Sequence, residues 1–321
     1  MSNLPDFHKT DASPKSIAEA AEILRAGGLV AFPTETVYGL GADATNDKAV
    51  AKIFETKQRP QFNPLILHVK DIEQASEFAE INDASLDLTS RFWPGALTLV
   101  LKRKKDAKLS LLATAGLDTV AVRVPAHPIA QALLEAAQVP IAAPSANMSG
   151  YISPTQASHV EQQFKDSLIL NMLIDGGPCA VGLESTIVDV CGHTPTLLRP
   201  GGLAVEAIEA ITGPLQVHAS EEIVAPGQLK SHYAPSIPLR MNITPENRRL
   251  DESLLAFGPD MPTNNALNLS PTADLNEAAA NLFAMMRSLD KAGQNGIAVT
   301  PIPNQGLGLA INDRLRRACV E

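Results

Sequence analysis

Lys57 and Arg59 stand two residues apart in KQRPQFNPLILHV, where they close a helical stretch. Positive charge at a helix C-terminus contributes about 0.3–1 kcal/mol, so one such cation needs no further reason. The helix end does not account for Asn63 and His68 on the loop and strand that follow. Arg123 interrupts the apolar run TVAVRVP, and strand alternation turns it to the face opposite Val122 and Val124. An arginine there either faces solvent or forks onto a carboxylate or phosphate. Ser145, Asn147 and Ser149 follow the strand-like VPIAA, either as a helix-capping loop or at the strand end where open α/β sheets bind ligands. Ser185 and Thr186 in GLESTIVD, and Arg199 in LLRPGG, again sit beside strands. FPTETVYGLGADATN sets hydroxyls, a glutamate and a tyrosine on a turn after a strand, which suits a small polar ligand as well as a tight turn. APGQLKSHYAP, Ala225 to Pro235, reads as a linker, yet it carries Lys230, His232 and Tyr233.

The common chemistry is the holding of an anion. It is not done with the usual tools. The chain has no Gly-x-x-x-x-Gly-Lys-Ser/Thr loop, no His-Glu-x-x-His, no Gly-x-Ser-x-Gly elbow and no kinase signature set. The 7 histidines are scattered without metal-ligand spacing. Any phosphate must therefore be met by a cradle of Lys, Arg, Ser and Asn.

The elements that would position these groups alternate short apolar runs with helical ones. SIAEAAEILRA has helical spacing with Ile17, Ala20, Ala21 and Leu24 on one side, and Gly27-Gly28 stops it. LVAF is a buried strand, and NDKAVAKIFETK a helix with Val50, Ile53 and Phe54 inward, ended by Pro60. PLILHV, ALTLVL, TVAVRV, PIAAP, LILNMLID and STIVDV are further strand candidates, and PIAQALLEAAQ is a helix. That order predicts an α/β fold with a mixed, twisted sheet over residues 10–215. A linker or lid spans 216–239. A smaller Rossmann-like α/β domain follows over 240–321, with strands LLAFG and GIAVTPIP and helices ADLNEAAANLFAMMRSLDKAG and AINDRLRRACV. In the first of these helices Leu275, Ala278, Leu282 and Met285 share a face. NQGLGLA lacks the Gly-x-Gly-x-x-Gly fingerprint of a dinucleotide site.

Composition narrows the class. The 321 residues are 45% hydrophobic and 19% charged, ordinary for a soluble globular protein of about two domains. A net charge of −9 gives no global field for nucleic acid or anionic membrane. Cys179, Cys191 and Cys319 form neither a disulfide framework nor a Cys-x-x-Cys metal pair. The N-terminal MSNLPDFHKTDASPKS has no basic-then-apolar signal pattern, and no apolar run approaches membrane length. The expectation is a cytoplasmic protein, in which the Asn-Met-Ser acceptor pattern at Asn147 is chance.

PTETVYGLG, KQRPQFNPLILHV, FWPGALTLVL, VAVRVP, APSANMSG, GLESTIVD and LLRPGG, in that order, resemble the YrdC-like domain. The tail from SHYAP to GLGLAINDRLRRA resembles the longer Sua5 type of that family, the threonylcarbamoyl-AMP synthases. The resemblance implies a nucleotidyltransferase in which L-threonine and bicarbonate give N-carboxythreonine. The carboxylate of that intermediate attacks the α-phosphate of ATP, yielding threonylcarbamoyl-adenylate and pyrophosphate for the t6A37 modification of tRNA. It implies catalytic roles for Lys57, Arg59, Ser145 and Asn147. ATP contacts fall on Arg59, Asn63, Thr119, Ser145, Ser153, Arg199, His232 and Tyr233, with Lys230 toward pyrophosphate. Threonine contacts fall on Thr36, His68, Arg123, Ala143 and Ser185. No residue is assigned to metal; Mg2+ is expected on the phosphates, largely through water. A downstream threonylcarbamoyl transferase is the implied partner, with weak tRNA contact and no membrane. The linker departs from the family pattern at Gln228, where a methionine is usual. Two other readings are a double-stranded RNA-binding module, and a hydrogenase-maturation type whose acylphosphatase and zinc-finger segments this chain lacks.

Overall fold

The computed structural model describes residues 7–60, 62–217, 225–226 and 233–319. Among them an 11-stranded sheet runs, edge to edge, through His8–Thr10, Leu170–Ile174, Leu29–Phe32, Gly39–Asp43, Ile141–Ala142, Ile66–His68, Thr119–Arg123, Leu97–Lys102, Thr186–Asp189, Thr196–Arg199 and Gln216–Val217. Parallel and antiparallel pairings alternate irregularly along it. All six strand candidates named after LVAF are in this sheet, as is LVAF itself.

Side-chain alternation divides the apolar residues between the two faces. Val30, Phe32, Met172 and Ile174 pack beneath helices Pro14–Arg25 and Pro128–Ala137. Leu29, Ala31, Leu40 and Leu99 pack on the other side with Val50, Ile53 and Phe54 of helix Asp47–Lys57. That helix ends at Gln58, in left-handed backbone, before Pro60 is reached. A third, smaller apolar strip joins Ile66, Val100, Ala121, Ile187 and Leu198, and Ala225 of the linker seals it.

Several segments differ from the sequence expectation, and Gln216–Val217, expected in the linker, is an edge strand of the large sheet paired with Thr196–Leu197. Gly39–Asp43, expected as part of a turn, is a fully buried strand, because its two glycines let neighbouring side chains close in. A Cβ on Gly41 would stand 2.8 Å from both Ile141 and Phe32. Helix Leu307–Ala318 begins inside the glycine-rich NQGLGLA, three residues earlier than AINDRLRRACV.

The second sheet is fully parallel, in the order Leu239–Arg240, Gly296–Val299, Glu252–Ala256 and Ala266–Asn268. Helix Leu275–Asp290 packs on it, and helix Leu307–Ala318 packs against that helix. The buried arc of the first helix is Ala278, Ala279, Leu282, Phe283, Met286 and Leu289. It is rotated from the expected stripe, leaving Leu275 and Met285 only partly buried. Extra apolar surface is needed because this helix also meets the large unit: Val37, Ile152 and Leu183 belong to the same cluster as Phe283.

Candidate active site

Strand order, not sequence proximity, assembles the pocket. Ile66–His68 and Thr119–Arg123 run parallel with His68 opposite Arg123. His68 also lies opposite Ile141 of an antiparallel neighbour, so the loop from Ala143 to Ser145 reaches the same face. The result is a narrow pocket that opens to solvent. Its walls include Thr34, Thr36, Arg59, His68, Arg123, Ala143, Ser145, Glu184, Ser185, Arg199, Pro226 and Tyr233. Strand ends (His68, Arg123, Arg199) and a strand approach (Ser185) line it alike. It is therefore not the single carboxyl edge expected of a parallel sheet, because antiparallel neighbours present opposite ends side by side.

All five residues matched to threonine thus line one pocket. Arg123 is nearly inaccessible, at 3% exposure. Its Nε donates to the Gly95 carbonyl at 3.1 Å, its Nη1 to Thr36 Oγ1 at 2.9 Å, and its Nη2 to Glu35. The second Glu35 oxygen accepts from the Ala126 amide at 3.0 Å. Burial opposes ionisation of Glu35, yet Arg123 outweighs it and holds the carboxyl below the usual range. His68 Nδ1 lies 3.2 Å from the Ile66 carbonyl. Burial, reinforced by Arg123, lowers the affinity of His68 for a proton to a pKa of about 3, so it is neutral near pH 7. Ser185 shares a 2.7 Å hydrogen bond with Thr98.

The residues matched to ATP or to catalysis divide by where they stand. Arg59, Ser145, Arg199 and Tyr233 line the pocket. Arg59 Nε donates to the Asn63 carbonyl and Nη2 to that of Pro64, which pins the side chain across its own loop. Burial, with Arg199 nearby, lowers its pKa to about 10, so it stays charged. Arg199 donates to the Ser185 carbonyl at 2.8 Å and to Pro226 at 3.1 Å, which ties the linker to the pocket wall. Tyr233 stacks on Phe283 at 5.5 Å, and burial raises its phenol to about 12 against the pull of Arg314.

Lys57, Asn63, Asn147 and Ser153 stand behind the wall rather than on it. Lys57 is 1% exposed, and its ammonium donates to the carbonyls of Ser145, at 2.6 Å, and Asn147. It is therefore placed as the core of the Ser145–Asn147 loop. Burial, with Arg59 beside it, holds its pKa well below the usual lysine range. Asn147 Nδ2 donates to Met148 and Tyr151, while the Oδ1 atoms of Asn147 and Asn63 are buried without a partner. Ser153 donates to Glu184 at 2.5 Å. Thr119 opens the strand that Arg123 closes, outside the pocket lining. His232, Lys230 and Gln228 lie outside the described residues.

Sequence reasoning noted Glu35 only as one group of its turn and did not single out Glu184 or Arg314. The first two stand inside quoted motifs, PTET and GLES. A carboxylate within an anion-binding motif demands a cation, and that was the available signal.

Residues 22–201 match the family model Sua5_yciO_yrdC, described as telomere recombination. Residues 203–319 match the threonylcarbamoyl-AMP synthase C-terminal domain, Sua5_C. The chain belongs to the Sua5 family. Its Sua5 relatives include the threonylcarbamoyl-AMP synthase of Bacillus subtilis, 43% identical over 94% of this chain and 92% of that protein. The threonylcarbamoyl-AMP synthase of Pyrococcus abyssi is 42% identical over 93% of this chain and 92% of its own length. The crystal structure of P. abyssi Sua5 complexed with L-threonine superposes with a TM-score of 0.88 at 41% identity, covering 97% of this chain and 96% of that one. E. coli YciO matches 61% of this chain and 94% of its own, with a TM-score of 0.54 at 26% identity. The Sua5 chain is thus covered over both sheets, and YciO is similar over a smaller part of it. No helix among the described residues is long and apolar enough to cross a membrane.

Proposed function

We propose that the chain is a threonylcarbamoyl-AMP synthase, converting L-threonine, bicarbonate and ATP into threonylcarbamoyl-adenylate and pyrophosphate for tRNA t6A37. One observation supports this above the rest. Three guanidinium groups (Arg59, Arg123 and Arg199) converge with Thr36, His68, Ser145 and Ser185 on one pocket. The chain that builds it is covered almost end to end by proteins bearing that name.

The geometry suggests a division of labour. Arg123 uses three of its five N–H groups within the fold, leaving two for the threonine carboxylate. Neutral His68 and the hydroxyls of Thr36 and Ser185 complete a polar, uncharged socket beside it. The threonine nitrogen, once carboxylated, presents an oxygen to the α-phosphorus; that P–O bond forms as the bond to pyrophosphate breaks. Arg59 and Arg199 stabilise charge on the phosphate oxygens, and Ser145 donates a hydrogen bond. Lys57 acts indirectly, by fixing the loop that carries Ser145. Asn63 and Asn147, each with an unpartnered buried oxygen, have the acceptor capacity to meet a nucleotide group. No enzyme nucleophile is required; alignment and electrostatics do the chemistry.

Among the described residues no group of three or more His, Cys, Asp or Glu could hold a metal ion. Glu184 on the pocket and Glu35 behind it are committed to arginines. Magnesium, if it accompanies the triphosphate, would supply charge neutralisation there without a protein carboxylate cage. Residues 10–215 are read as the catalytic unit, 216–239 as a lid and 240–321 as the supporting domain, although Gln216–Val217 still pairs with the large sheet and Leu239 with the second. Pro226 and Tyr233 on the pocket support the lid, whose closure shields the adenylate from water. A threonylcarbamoyl transferase consumes the product.

The test is pyrophosphate release. Release from ATP that requires both threonine and bicarbonate is the expected result. Release without threonine, or none with all three present, contradicts the assignment. RNA binding with no such turnover would favour the binding-module reading.

A further inference from the structure

Glu184 is an anomaly in a pocket built for anions. It lines the same cavity as Arg59 and Arg199, and an uncompensated carboxylate there repels a triphosphate. Its two oxygens are both held. Ser153 donates to Oε1 at 2.5 Å and Arg314 Nε to Oε2 at 2.9 Å. Arg314 comes from helix Leu307–Ala318 of the second unit and is 0% exposed. Its Nη1 donates to the Pro200 carbonyl and to Asp313, both at 2.8 Å, and Asp313 accepts from Arg317 at 3.2 Å. Charge therefore alternates from the pocket wall outward: Glu184, Arg314, Asp313, Arg317. The guanidinium also stands 5.3 Å from the centre of the Tyr233 ring, within cation–π range.

We infer that Arg314 is a positioning residue of the nucleotide side of the pocket: it occupies Glu184 and so keeps the N–H groups of Arg199 not already held by Ser185 and Pro226 for a phosphate. Pro200, whose carbonyl Arg314 holds, directly follows Arg199. Arg199 and Glu184 already act on each other electrostatically. Remove Arg314, and the carboxylate either recruits Arg199 or stays charged against the triphosphate. Both outcomes weaken ATP binding. The threonine side keeps its own pair, Glu35 with Arg123, built wholly within the large unit. A chemical reason for the second unit follows: it supplies a counter-ion for Glu184 without engaging the pocket's own arginines. The inference rests on reading this pocket as the ATP site.

The full chain is tested as R314Q, R314K and E184Q/R314Q, with KM for ATP and for threonine and with titration of α,β-methylene-ATP. R314Q should raise the KM for ATP about tenfold or more, and that for threonine about twofold at most. R314K should stay within about threefold of wild type, and E184Q/R314Q should regain most of the lost affinity. A merely destabilised fold would instead weaken threonine and the analogue together. Equal loss in R314Q and R314K, or no recovery in the double variant, overturns the inference. If R314Q does not fold, R314H decides: its KM for ATP should rise from about pH 6 to about pH 8 as the imidazole loses its charge, and a flat profile is contrary. If wild type shows no threonine- and bicarbonate-dependent pyrophosphate release, the assigned reaction fails, whereas analogue binding still tests Arg314.

Discussion

Two arginine–carboxylate pairs flank the pocket, and they differ in where their partners come from. Glu35 and Arg123 both belong to the large sheet unit and are further held by Thr36, Gly95 and Ala126. Glu184 belongs to that unit too, but Arg314 reaches it from the second. The first pair is set as soon as the large sheet forms. The second exists only when the two units are docked. Buried pairs of this kind add little net stability, but losing one partner leaves a buried charge and costs about 3–5 kcal/mol. Under the proposed assignment, threonine recognition is intrinsic to one unit, while the nucleotide side depends on both.

Arg59 belongs to neither pair and gives the largest expected effect. Arg59→Ala should lower turnover about 100- to 1000-fold, the usual loss for a group stabilising charge in the transition state. Pyrophosphate release measures it, and a near wild-type rate would remove Arg59 from the phosphates. Arg123→Ala breaks the internal pair and should weaken threonine binding about 100-fold while leaving ATP affinity within about threefold. Isothermal titration separates the two, and a larger ATP loss would reverse the assignment.

The docking itself can be loosened. Gly182 has φ +74°, and a Cβ there would stand 2.5 Å from the Ala279 carbonyl oxygen and the Ala280 Cα of the second unit. Gly182→Ala should cost about 1–3 kcal/mol in urea unfolding and raise the KM for ATP more than that for threonine. An unchanged midpoint would show that the contact is slack.

The smallest effect is acid sensitivity. Burial favours the neutral form of Glu184, but Arg314, Arg199 and Ser153 prevail and bring its pKa down to about 2. A carboxylate depressed on folding stabilises fully above its unfolded pKa and loses that contribution as pH falls through its folded one. Between about pH 5 and about pH 2, wild type should therefore lose roughly 1–2 kcal/mol relative to E184Q/R314Q. Parallel acid profiles for the two proteins would mean that the pair is not the source.

Much of this was legible in the sequence, for physical reasons. LVAF, ALTLVL and TVAVRV read as strands because central strands buried on both faces are nearly continuous apolar runs. Gly39–Asp43 did not, because glycines that permit close packing look the same in sequence as glycines that permit turning. Helix Ile72–Phe78 buries only Gln74, Ala75 and Phe78, too few apolar residues to show a period. Thr36, His68, Arg123 and Ser185 could each be marked in its motif, but their meeting depends on a strand order no local pattern contains. Lys57 was marked for its charge, while the two carbonyls that hold it are visible only in the fold. Arg314 was hardest to find: three arginines near a C-terminal helix end look like ordinary dipole complement, and Arg314 alone of Arg314, Arg316 and Arg317 is fully buried.

The most direct test titrates threonine and α,β-methylene-ATP separately into wild type, R123A and R314Q. A crossed result is predicted, with R123A losing threonine and keeping the nucleotide analogue, and R314Q the reverse. If both variants lose both ligands to the same extent, the pocket does not divide between the two pairs, and the account is wrong.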